Sequence, residues 1–249
     1  MTAKKVEYIY GYHTLAQALE STPEAILEVS YVKPNGVNRR LQTILDRCQA
    51  LDIACQHIMP QKLDKLTGTT KHQGIAARYT APGLNTSINH LCDGDIAQTS
   101  LILALDGIQD PHNLGACIRT ANAAGVQAVL IPADRSAPVN ATVRKVACGA
   151  VEATDVIRVT NLSRALKRLQ EAGYWVVGAD GQAEADLFDF VPQQPLVLVV
   201  GAEDSGLRHN TRRYCDYLLK IPMSGAVASL NVSVATGVCL YLLRSRQQD

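Results

Sequence analysis

The stretch SLILALDGIQDPHNLGACIRTANAAGVQAVLI, residues 100–131, contains the pattern that decides the fold. Its first apolar run, Leu101–Leu105, is continuous, which is typical of a strand covered on both faces. Asn113–Ala124 then has apolar residues at helical spacing, and Val126–Ile131 is a second apolar run. This order of strand, helix and strand predicts two parallel strands with the helix packed against their sheet.

The alternation of strands and helices continues to the C-terminus. We therefore predict one α/β domain with a parallel sheet over residues 99–249. Further strands are predicted at Val156–Val159, Tyr174–Ala179, Leu196–Val200 and Leu218–Ile221, and further helices at Ala141–Val151, Leu162–Glu171 and Leu230–Arg244.

A second, smaller α/β domain is predicted over residues 1–79. Residues 80–98 contain Pro, Gly, Asn and Ser with few periodic apolar positions, so we interpret them as a linker. In the small domain, helices are expected at Gly11–Glu20, at Asn38–Leu51 and after Pro60, and strands at Leu27–Val32, near Ala54–Ile58 and at Gly74–Tyr79.

The composition favours a globular protein of the cytoplasm. Hydrophobic residues make up 47% of the 249 residues, which is enough for a packed core. The first residues, MTAKKVEYIYGYH, lack the apolar core of a signal peptide, and no apolar run is long enough to cross a bilayer. The seven cysteines are odd in number and form no C-x-x-C pair, so we expect free thiols in a reducing compartment.

The formal charge gives only a weak indication of the partner. The net charge of +1 does not mark the whole chain as a binder of polyanions. Residues 1–80 carry 10 basic and 7 acidic residues, a net charge of +3, whereas the remainder carries 14 and 16, a net charge of −2. Any contact with nucleic acid must therefore come from local basic patches.

A polar segment follows the predicted strand that ends at Asp106. Asn113 can cap the helix predicted after this segment, or its side chain can serve a ligand. Arg119 lies six residues further along the helix, among small and apolar neighbours. We expect it to emerge from a poorly solvated wall, although a lone helical arginine can equally face solvent or form an ion pair.

Two further polar segments follow strands near the C-terminus. In VGAEDSGL, residues 200–207, the glycines let the backbone approach a ligand, while Glu203 and Asp204 argue against a phosphate-binding loop. In IPMSGAVASLNVSVATG, residues 221–237, Ser229 and Asn231 stand where they can cap a helix or meet a ligand. Open α/β sheets bind ligands beyond the carboxyl ends of their strands, so these segments are expected to share one site.

Several common functional motifs are absent from the sequence. There is no G-x-G-x-x-G after the first strand, no Walker A sequence, no H-E-x-x-H and no G-x-S-x-G. The classes of dinucleotide-dependent dehydrogenases, P-loop enzymes, zinc proteases and serine hydrolases lose support accordingly. We predict no metal site.

The polar segments resemble the three motifs of the SpoU/TrmH family of RNA 2′-O-methyltransferases. The matching residues are DPHNLGACIRTANAAG (110–125), VGAEDSGL and IPMSGAVASLNVSVATG, in the family's order and spacing. KHQGIAA (71–77) and RSAPVNATVRKVACGAVE (135–152) resemble the subgroup that methylates guanosine in bacterial 23S rRNA.

This resemblance implies a fold that periodicity alone does not predict. Residues 99–249 would form a SPOUT domain, a parallel-sheet methyltransferase fold with a C-terminal trefoil knot, which general topological rules would nearly exclude. Residues 1–79 would form an RNA-binding domain similar to ribosomal protein L30. The protein would be a homodimer whose active sites take residues from both protomers, with no membrane partner.

The resemblance also implies the reaction and the site. A methyl group would pass from S-adenosylmethionine to the ribose 2′-hydroxyl of a guanosine in 23S rRNA, or in a ribosomal precursor, and DNA is excluded because it lacks this hydroxyl. The expected catalytic residues are Arg119, Asn113, Glu203, Ser229 and Asn231. The expected cofactor-binding residues are Gly201, Ile221 and Leu230, which act through backbone groups, together with Ala202 and Met223.

Arg119 has two possible roles in this reaction. It can act as the base for the 2′-hydroxyl, but deprotonating a guanidinium at neutral pH costs about 7–9 kcal/mol unless its surroundings assist. Alternatively, it binds the adjacent phosphate and orients the ribose. We favour orientation followed by a late proton transfer.

The residues expected to contact RNA are mostly basic. They are Arg39, Arg40, Lys71, His72, Gln73, Arg135, Arg144 and Lys145. Two alternative functions remain open at this point: 2′-O-methylation of tRNA or of another rRNA site, and a non-catalytic role in RNA binding or ribosome assembly on the same fold.

Overall fold

The computed structural model describes residues 6–34, 36–80, 84–93, 96–192 and 195–247. The described strands, in chain order, are β1 (Val6–Tyr10), β2 (Ile26–Tyr31), β3 (Cys55–His57), β4 (Ile75–Thr80), β5 (Leu101–Asp106), β6 (Ala128–Pro132), β7 (Asp155–Val159), β8 (Trp175–Ala179), β9 (Ala185–Asp186), β10 (Leu196–Gly201) and β11 (Tyr217–Lys220). The described helices are α1 (Tyr12–Ser21), α2 (Arg39–Ala50), α3 (Pro60–Thr67), α4 (Asn89–Cys92), α5 (Pro111–Ala123), α6 (Ala141–Ala147), α7 (Ala150–Ala153), α8 (Leu162–Glu171), α9 (His209–Arg212) and α10 (Val232–Arg246).

These elements form two compact units. Unit 1 consists of Met1–Gly83 and Val139–Ala153, and unit 2 consists of Leu84–Pro138 and Thr154–Asp249. Unit 1 therefore contains a stretch that the sequence pattern assigns to the C-terminal domain. Residues 81–83 and 94–95 of the predicted linker lie outside the described residues.

The sheet of unit 1 has the strand order β1-β4-β2-β3. β4 is antiparallel to both of its neighbours, and β3 pairs with β2 in parallel. β1, β2, β4 and the first two helices share one core, which includes Ile9, Leu15 and Ile44. The sequence pattern does not predict β1, because only Ile9 and Tyr10 among its residues are buried and the alternation is too short.

The helix predicted at Ala141–Val151 is divided in the structure into α6 and α7. The break falls at Cys148 and Gly149, whose φ angles are +52° and +91°. A Cβ atom at Gly149 would lie 2.3 Å from the Cβ of Gln17 on α1, so the close approach of these backbones requires glycine. Helical periodicity reveals a buried face but not which sheet covers it, and here both helices pack within unit 1.

Arg144 is buried inside unit 1 between two acidic side chains. Its Nε donates to Oε1 of Glu7 at 2.8 Å, and its Nη1 donates to Oε1 of Glu152. Only 4% of the Arg144 side chain and 1% of the Glu152 side chain are exposed. Burial alone would lower the pKa of Arg144, but the carboxylates of Glu152 and Glu7 raise it, so the guanidinium stays charged. Its burial makes Arg144 a weaker candidate for RNA contact than the exposed arginines.

We expect Arg144→Met to lower the free energy of unfolding by about 3–5 kcal/mol, because it leaves the buried carboxylate of Glu152 and the partly buried carboxylate of Glu7 without their cation. Arg47→Met is the matched control. Its ion pair with Glu20 lies on the surface, with 42% and 53% of the two side chains exposed, and such pairs contribute about 0–1 kcal/mol. Urea unfolding followed by circular dichroism measures both values, and equal losses would contradict this interpretation.

The sheet of unit 2 has the strand order β7-β6-β5-β10-β8-β11-β9. All neighbouring strands are parallel, as the sequence predicts, so their carboxyl ends meet at one edge. β5 and β10 lie side by side at the centre, and every one of their residues is buried. Among the described residues, no helix combines the length and apolarity needed to cross a membrane.

Part of the predicted linker packs into unit 2. Ile88 and Leu91 are 4% and 1% exposed and belong to the core beside the sheet. The carbonyl of Asn85 accepts a hydrogen bond from the N–H of Arg158 in β7 at 2.7 Å. The sequence does not predict this packing, because the segment is rich in turn-forming residues and its two buried apolar side chains are too few to give a periodic pattern.

Candidate active site

The carboxyl end of β5 leads through residues 107–110 into α5. Asp110 caps this helix, since its side chain accepts a hydrogen bond from the N–H of His112 at 3.0 Å, and Pro111 takes the first helical position. Of the two roles that the sequence leaves open for Asn113, the structure therefore excludes capping of α5. Asn113 lies in the first turn instead, and its side-chain amide is available for other contacts.

A chain of hydrogen bonds joins the three polar segments. Asn231 caps α10 through its Oδ1, which accepts from the N–H of Ser233 at 3.0 Å. Its Nδ2 donates to Oδ1 of Asn113 at 3.0 Å, and Nδ2 of Asn113 donates to Oε2 of Glu203 at 3.2 Å. Because the cap fixes the orientation of the Asn231 amide, it also fixes that of Asn113. These three side chains were each predicted as catalytic, and the structure brings them together.

The second segment forms a closed turn at the end of β10. Ala202 and Gly206 exchange two backbone hydrogen bonds, of 3.2 and 2.9 Å. A Cβ atom at Gly201 would lie 2.1 Å from the backbone carbonyl carbon of Gly206, so only glycine fits there. Glu203 and Asp204 are exposed on this turn, and Glu203 enters the chain of hydrogen bonds described above.

A pocket opens beside the turn, at the carboxyl ends of β8, β10 and β11 and against the segment that leads into α10. Two of the expected catalytic residues, Glu203 and Ser229, belong to its wall. All five expected cofactor-binding residues also line it: Gly201, Ala202, Ile221, Met223 and Leu230. Residues from distant parts of the sequence thus form one wall.

The chemistry of this wall fits S-adenosylmethionine. Leu219, Ile221 and Val232 offer apolar surface for an adenine ring. The carboxylates of Asp180 and Glu203 suit ribose hydroxyls and a positively charged sulfonium. Within the described part of the chain, no lysine or arginine lines the pocket, which disfavours dinucleotides and other phosphate-bearing cofactors.

Asp180 is a candidate site residue that was not predicted from the sequence. It lines the pocket directly after β8, and its Oδ2 lies 2.7 Å from Nη1 of Arg212. The signal was present in the sequence: the apolar run of β8 ends in Ala179-Asp180-Gly181, much as β5 ends in Asp106-Gly107. Polar residues after any strand of a parallel sheet are candidates for its ligand site.

Arg119 lies on a different side of α5 from Asn113. Six helical residues separate the two side chains, which places them about 120° apart around the axis of α5. The neighbours Leu114, Cys117 and Ile118 are buried, whereas Arg119 is exposed. The neighbours of Arg119 are therefore shielded from water, as expected, whereas the Arg119 side chain itself is exposed to solvent in the single chain.

The residues of unit 1 expected to contact RNA have different surroundings. Arg39, Arg40 and Lys71 are exposed. His72 is only 7% exposed, with Nε2 lying 2.8 Å from Oδ1 of Asp64 and Nδ1 accepting from the N–H of Gly74. Both ring nitrogens of His72 are thus engaged within unit 1, which makes it a weaker candidate for RNA contact.

The two remaining candidates of unit 1 are partly engaged within the unit. Gln73 is exposed, but its Oε1 accepts a hydrogen bond from the N–H of Tyr12 at 3.1 Å. Lys145 is half-buried, donates to the carbonyl of Lys71 at 2.5 Å and lies 4.6 Å from the ring centroid of Tyr10. Burial and the nearby charge of Lys71 lower the pKa of Lys145. Both are therefore weaker candidates for RNA contact than the exposed arginines.

Asn231→Asp tests whether the chain of hydrogen bonds matters beyond capping. An aspartate keeps the acceptor for α10 but loses the donor to Asn113, so we expect an unchanged melting temperature and a kcat at least ~10-fold lower, about 1.4 kcal/mol in the barrier. Asn231→Ala is expected to lose about 1 kcal/mol of stability as well. Full activity of Asn231→Asp would show that this residue acts only as a cap.

The chain matches known families in two regions. The model of the SpoU rRNA Methylase family matches residues 100–241, and the model described as RNA 2′-O ribose methyltransferase substrate binding matches residues 8–83. Among curated proteins, the 23S rRNA (guanosine-2′-O-)-methyltransferase RlmB of Vibrio parahaemolyticus is 49% identical over 238 residues, covering 94% of this chain and 95% of that protein.

Solved structures support the same fold. A crystal structure of an RNA 2′-O ribose methyltransferase superposes with a TM-score of 0.82 at 26% identity, covering 99% of this chain and 90% of that one. The SpoU methyltransferase AviRb of Streptomyces viridochromogenes, in complex with its cofactor AdoMet, superposes with a TM-score of 0.80 at 21% identity. That alignment covers 97% of this chain and 90% of that one.

Proposed function

Because the chain belongs to the SpoU rRNA methylase family, we propose that it transfers the methyl group of S-adenosylmethionine to the ribose 2′-hydroxyl of a guanosine in 23S rRNA. One observation carries this proposal: the hydrogen bonds that join Asn113, Glu203 and Asn231 border the pocket lined by Gly201 and Leu230. The choice of guanosine rests on the name of the Vibrio relative.

S-adenosylmethionine supplies an electrophilic methyl group when it is bound, and the protein supplies position and electrostatics. Glu203 keeps acceptor capacity beyond its bond from Asn113, so its carboxylate can hold a ribose hydroxyl at the mouth of the pocket. Ser229 lines the same wall, and its hydroxyl group can form a second hydrogen bond with the ribose. These groups would align the 2′-oxygen with the cofactor rather than take its proton.

In this proposal, Arg119 orients the target nucleotide through its phosphate, and its positive charge stabilises the 2′-oxygen while the hydroxyl proton passes to solvent. A guanidinium binds phosphate through two parallel hydrogen bonds, which fixes direction as well as distance. The exposure of Arg119 leaves it accessible to a second chain or to RNA. Arg119 lies about 120° around the axis of α5 from Asn113. This separation is explained if Arg119 contributes to an active site that two protomers share.

A homodimer is the second part of the proposal. Glu203, Ser229 and Asn231 are all exposed in the single chain, whereas methyl transfer benefits from a site that excludes water. α10 also exposes Val234 and Tyr241, 51% and 55% respectively, as an apolar surface that a second copy can cover. Analytical ultracentrifugation is expected to give twice the mass of the chain, and a monomer at micromolar concentration would contradict it.

The remaining parts of the proposal concern RNA binding, location and topology. Arg39, Arg40 and Lys71 would contact the RNA backbone from unit 1. The ribosomal substrate implies that the protein is cytoplasmic. The reaction requires a 2′-hydroxyl, so the protein would act on RNA and not on DNA. The C-terminal trefoil knot also stays a prediction. Two alternative functions would use the same surfaces: 2′-O-methylation of tRNA or of another rRNA site, and a non-catalytic role in ribosome assembly. Mapping of the methylated nucleotides separates these alternatives.

The test is to map 2′-O-methylation in 23S rRNA from a strain that lacks this protein. One guanosine is expected to lose its ribose methyl group and to regain it on expression of the intact chain but not of Arg119→Ala. Loss of a ribose methyl group at a tRNA position, or at another ribosomal position, would mean that this other RNA site is the substrate. An unchanged methylation pattern would contradict the proposed function.

A further inference from the structure

A second and larger groove lies at the same edge of the unit 2 sheet. It has a volume of about 1070 Å³ and is lined by the segments that follow β6, β7 and β10. Arg135 comes from the first of these segments, Arg164 and Lys167 from α8, and Arg208 and Arg213 from the segment around α9. We refer to these five side chains and the surface between them as the basic groove.

The cations of the basic groove are only partly neutralised, and one exposed acidic residue, Asp134, also lines the groove. Nε of Arg208 lies 3.3 Å from Oδ1 of the buried Asp106, and Nζ of Lys167 lies 3.8 Å from Oε1 of Glu171. Arg135, Arg164 and Arg213 are exposed and form no ion pair with any acid in the described part of the chain. These three guanidinium groups repel one another, and a bound anion would reduce that repulsion.

The basic groove adjoins the candidate active site. Arg208 follows the turn of residues 201–206, and its N–H donates to Oδ2 of Asp106 at the end of β5. A Cβ atom at Gly107 would lie 2.6 Å from Nη2 of Arg208, so this guanidinium covers the start of the loop that leads to Asn113. The groove spans the ends of β7, β6, β5 and β10, three strand spacings or roughly 14–15 Å.

We propose that the basic groove binds the phosphate backbone of the RNA strand that flanks the methylated nucleotide. This inference rests on the proposed function, and it assigns RNA contacts to Arg164, Lys167 and Arg213 in unit 2. Arginine forks match phosphate oxygens, and an open groove of this width suits a continuous polyanion. Among the cations of this groove, only Arg135 was predicted from the sequence to contact RNA.

The test compares two charge-matched double variants in their affinity for a transcribed fragment of 23S rRNA. Arg164→Gln with Arg213→Gln is expected to raise the dissociation constant at least ~10-fold and to lower the slope of log affinity against log salt by about 1.4–1.8, which corresponds to two lost phosphate contacts. The control, Arg47→Gln with Arg78→Gln, removes the same charge from cations that already lie beside Glu20 and Glu28. It is expected to leave the dissociation constant within about 2-fold of the wild type and the salt slope unchanged.

Arg164→Lys with Arg213→Lys keeps the charge, and we expect it to restore most of the affinity and of the salt slope. All variants should bind S-adenosylmethionine like the wild type, and kcat at saturating RNA should change by less than about 2-fold, so the effect appears in KM. Equal RNA affinity and salt slope for the glutamine variant and the wild type would overturn the proposal.

The binding assay separates this proposal from the proposed function. If the wild type binds RNA through the groove but transfers no methyl group, the methyltransferase proposal fails and the groove stands. If the wild type methylates RNA and the glutamine variant matches it in affinity and salt slope, the groove fails and the enzyme stands. A misfolded variant is recognised by its melting temperature, and the lysine variant then provides the comparison.

Discussion

Arg119→Ala is expected to lower kcat for methyl transfer to RNA by roughly 10²–10⁴-fold, the range for loss of a group that orients the substrate and stabilises the 2′-oxygen as its proton leaves. The affinity for S-adenosylmethionine should stay within about 3-fold, because the pocket is built from other residues, among them Gly201 and Leu230. Single-turnover transfer with saturating RNA and calorimetric titration of the cofactor measure the two quantities separately.

Two comparisons sharpen this result. Arg119→Lys keeps a cation but lacks the planar fork, so partial activity with a raised KM for RNA would support the orienting role. Arg47→Ala removes an exposed arginine of unit 1 whose guanidinium already pairs with Glu20, and it should behave as the wild type. Loss of cofactor affinity in Arg119→Ala would refute the role given to Arg119.

Gly201→Ala is expected to weaken binding of S-adenosylmethionine by at least ~100-fold. The new Cβ atom would meet the backbone of Gly206 at 2.1 and 2.2 Å and the N–H nitrogen of Leu207 at 2.4 Å. Backbone cannot move aside as a side chain does, so the turn must open and the pocket wall must shift. Overpacking of this kind also costs about 1–3 kcal/mol of stability.

Gly36→Ala is the matched control for this substitution. A Cβ atom there would have no heavy atom within 4 Å, and the residue lies in a loop of unit 1. Cofactor affinity and activity should therefore equal those of the wild type. If Gly201→Ala also bound the cofactor normally, the closed turn could not be the wall that the cofactor needs.

The parallel sheet and the residues of the pocket were largely predictable from the sequence. The apolar runs that become β5 and β10 carry no polar residue before their final positions, so they indicate central parallel strands. The rule that ligands bind at the carboxyl ends of such strands then places Asn113, Glu203 and Asn231 at one edge. Their roles, in contrast, came from the resemblance and not from spacing.

Other features were not predictable because they depend on partners far away in the chain. The burial of Arg144 is decided by Glu7, 137 residues earlier, and no local pattern reveals that pairing. The start of α5 was misplaced because Asp110 and Asn113 are both good capping residues, and only the structure shows which of them caps. The packing of residues 139–153 in unit 1 has the same cause, since an amphipathic helix does not specify the sheet that covers it.

The most direct test of the central claim is transfer of a tritiated methyl group from S-adenosylmethionine to a transcribed 23S rRNA fragment, followed by digestion to nucleosides. We expect the label in 2′-O-methylguanosine with the intact chain and a rate at least ~100-fold lower with Arg119→Ala. Absence of label, or label on a base instead of a ribose, would contradict the assignment of this site as an RNA 2′-O-methyltransferase centre.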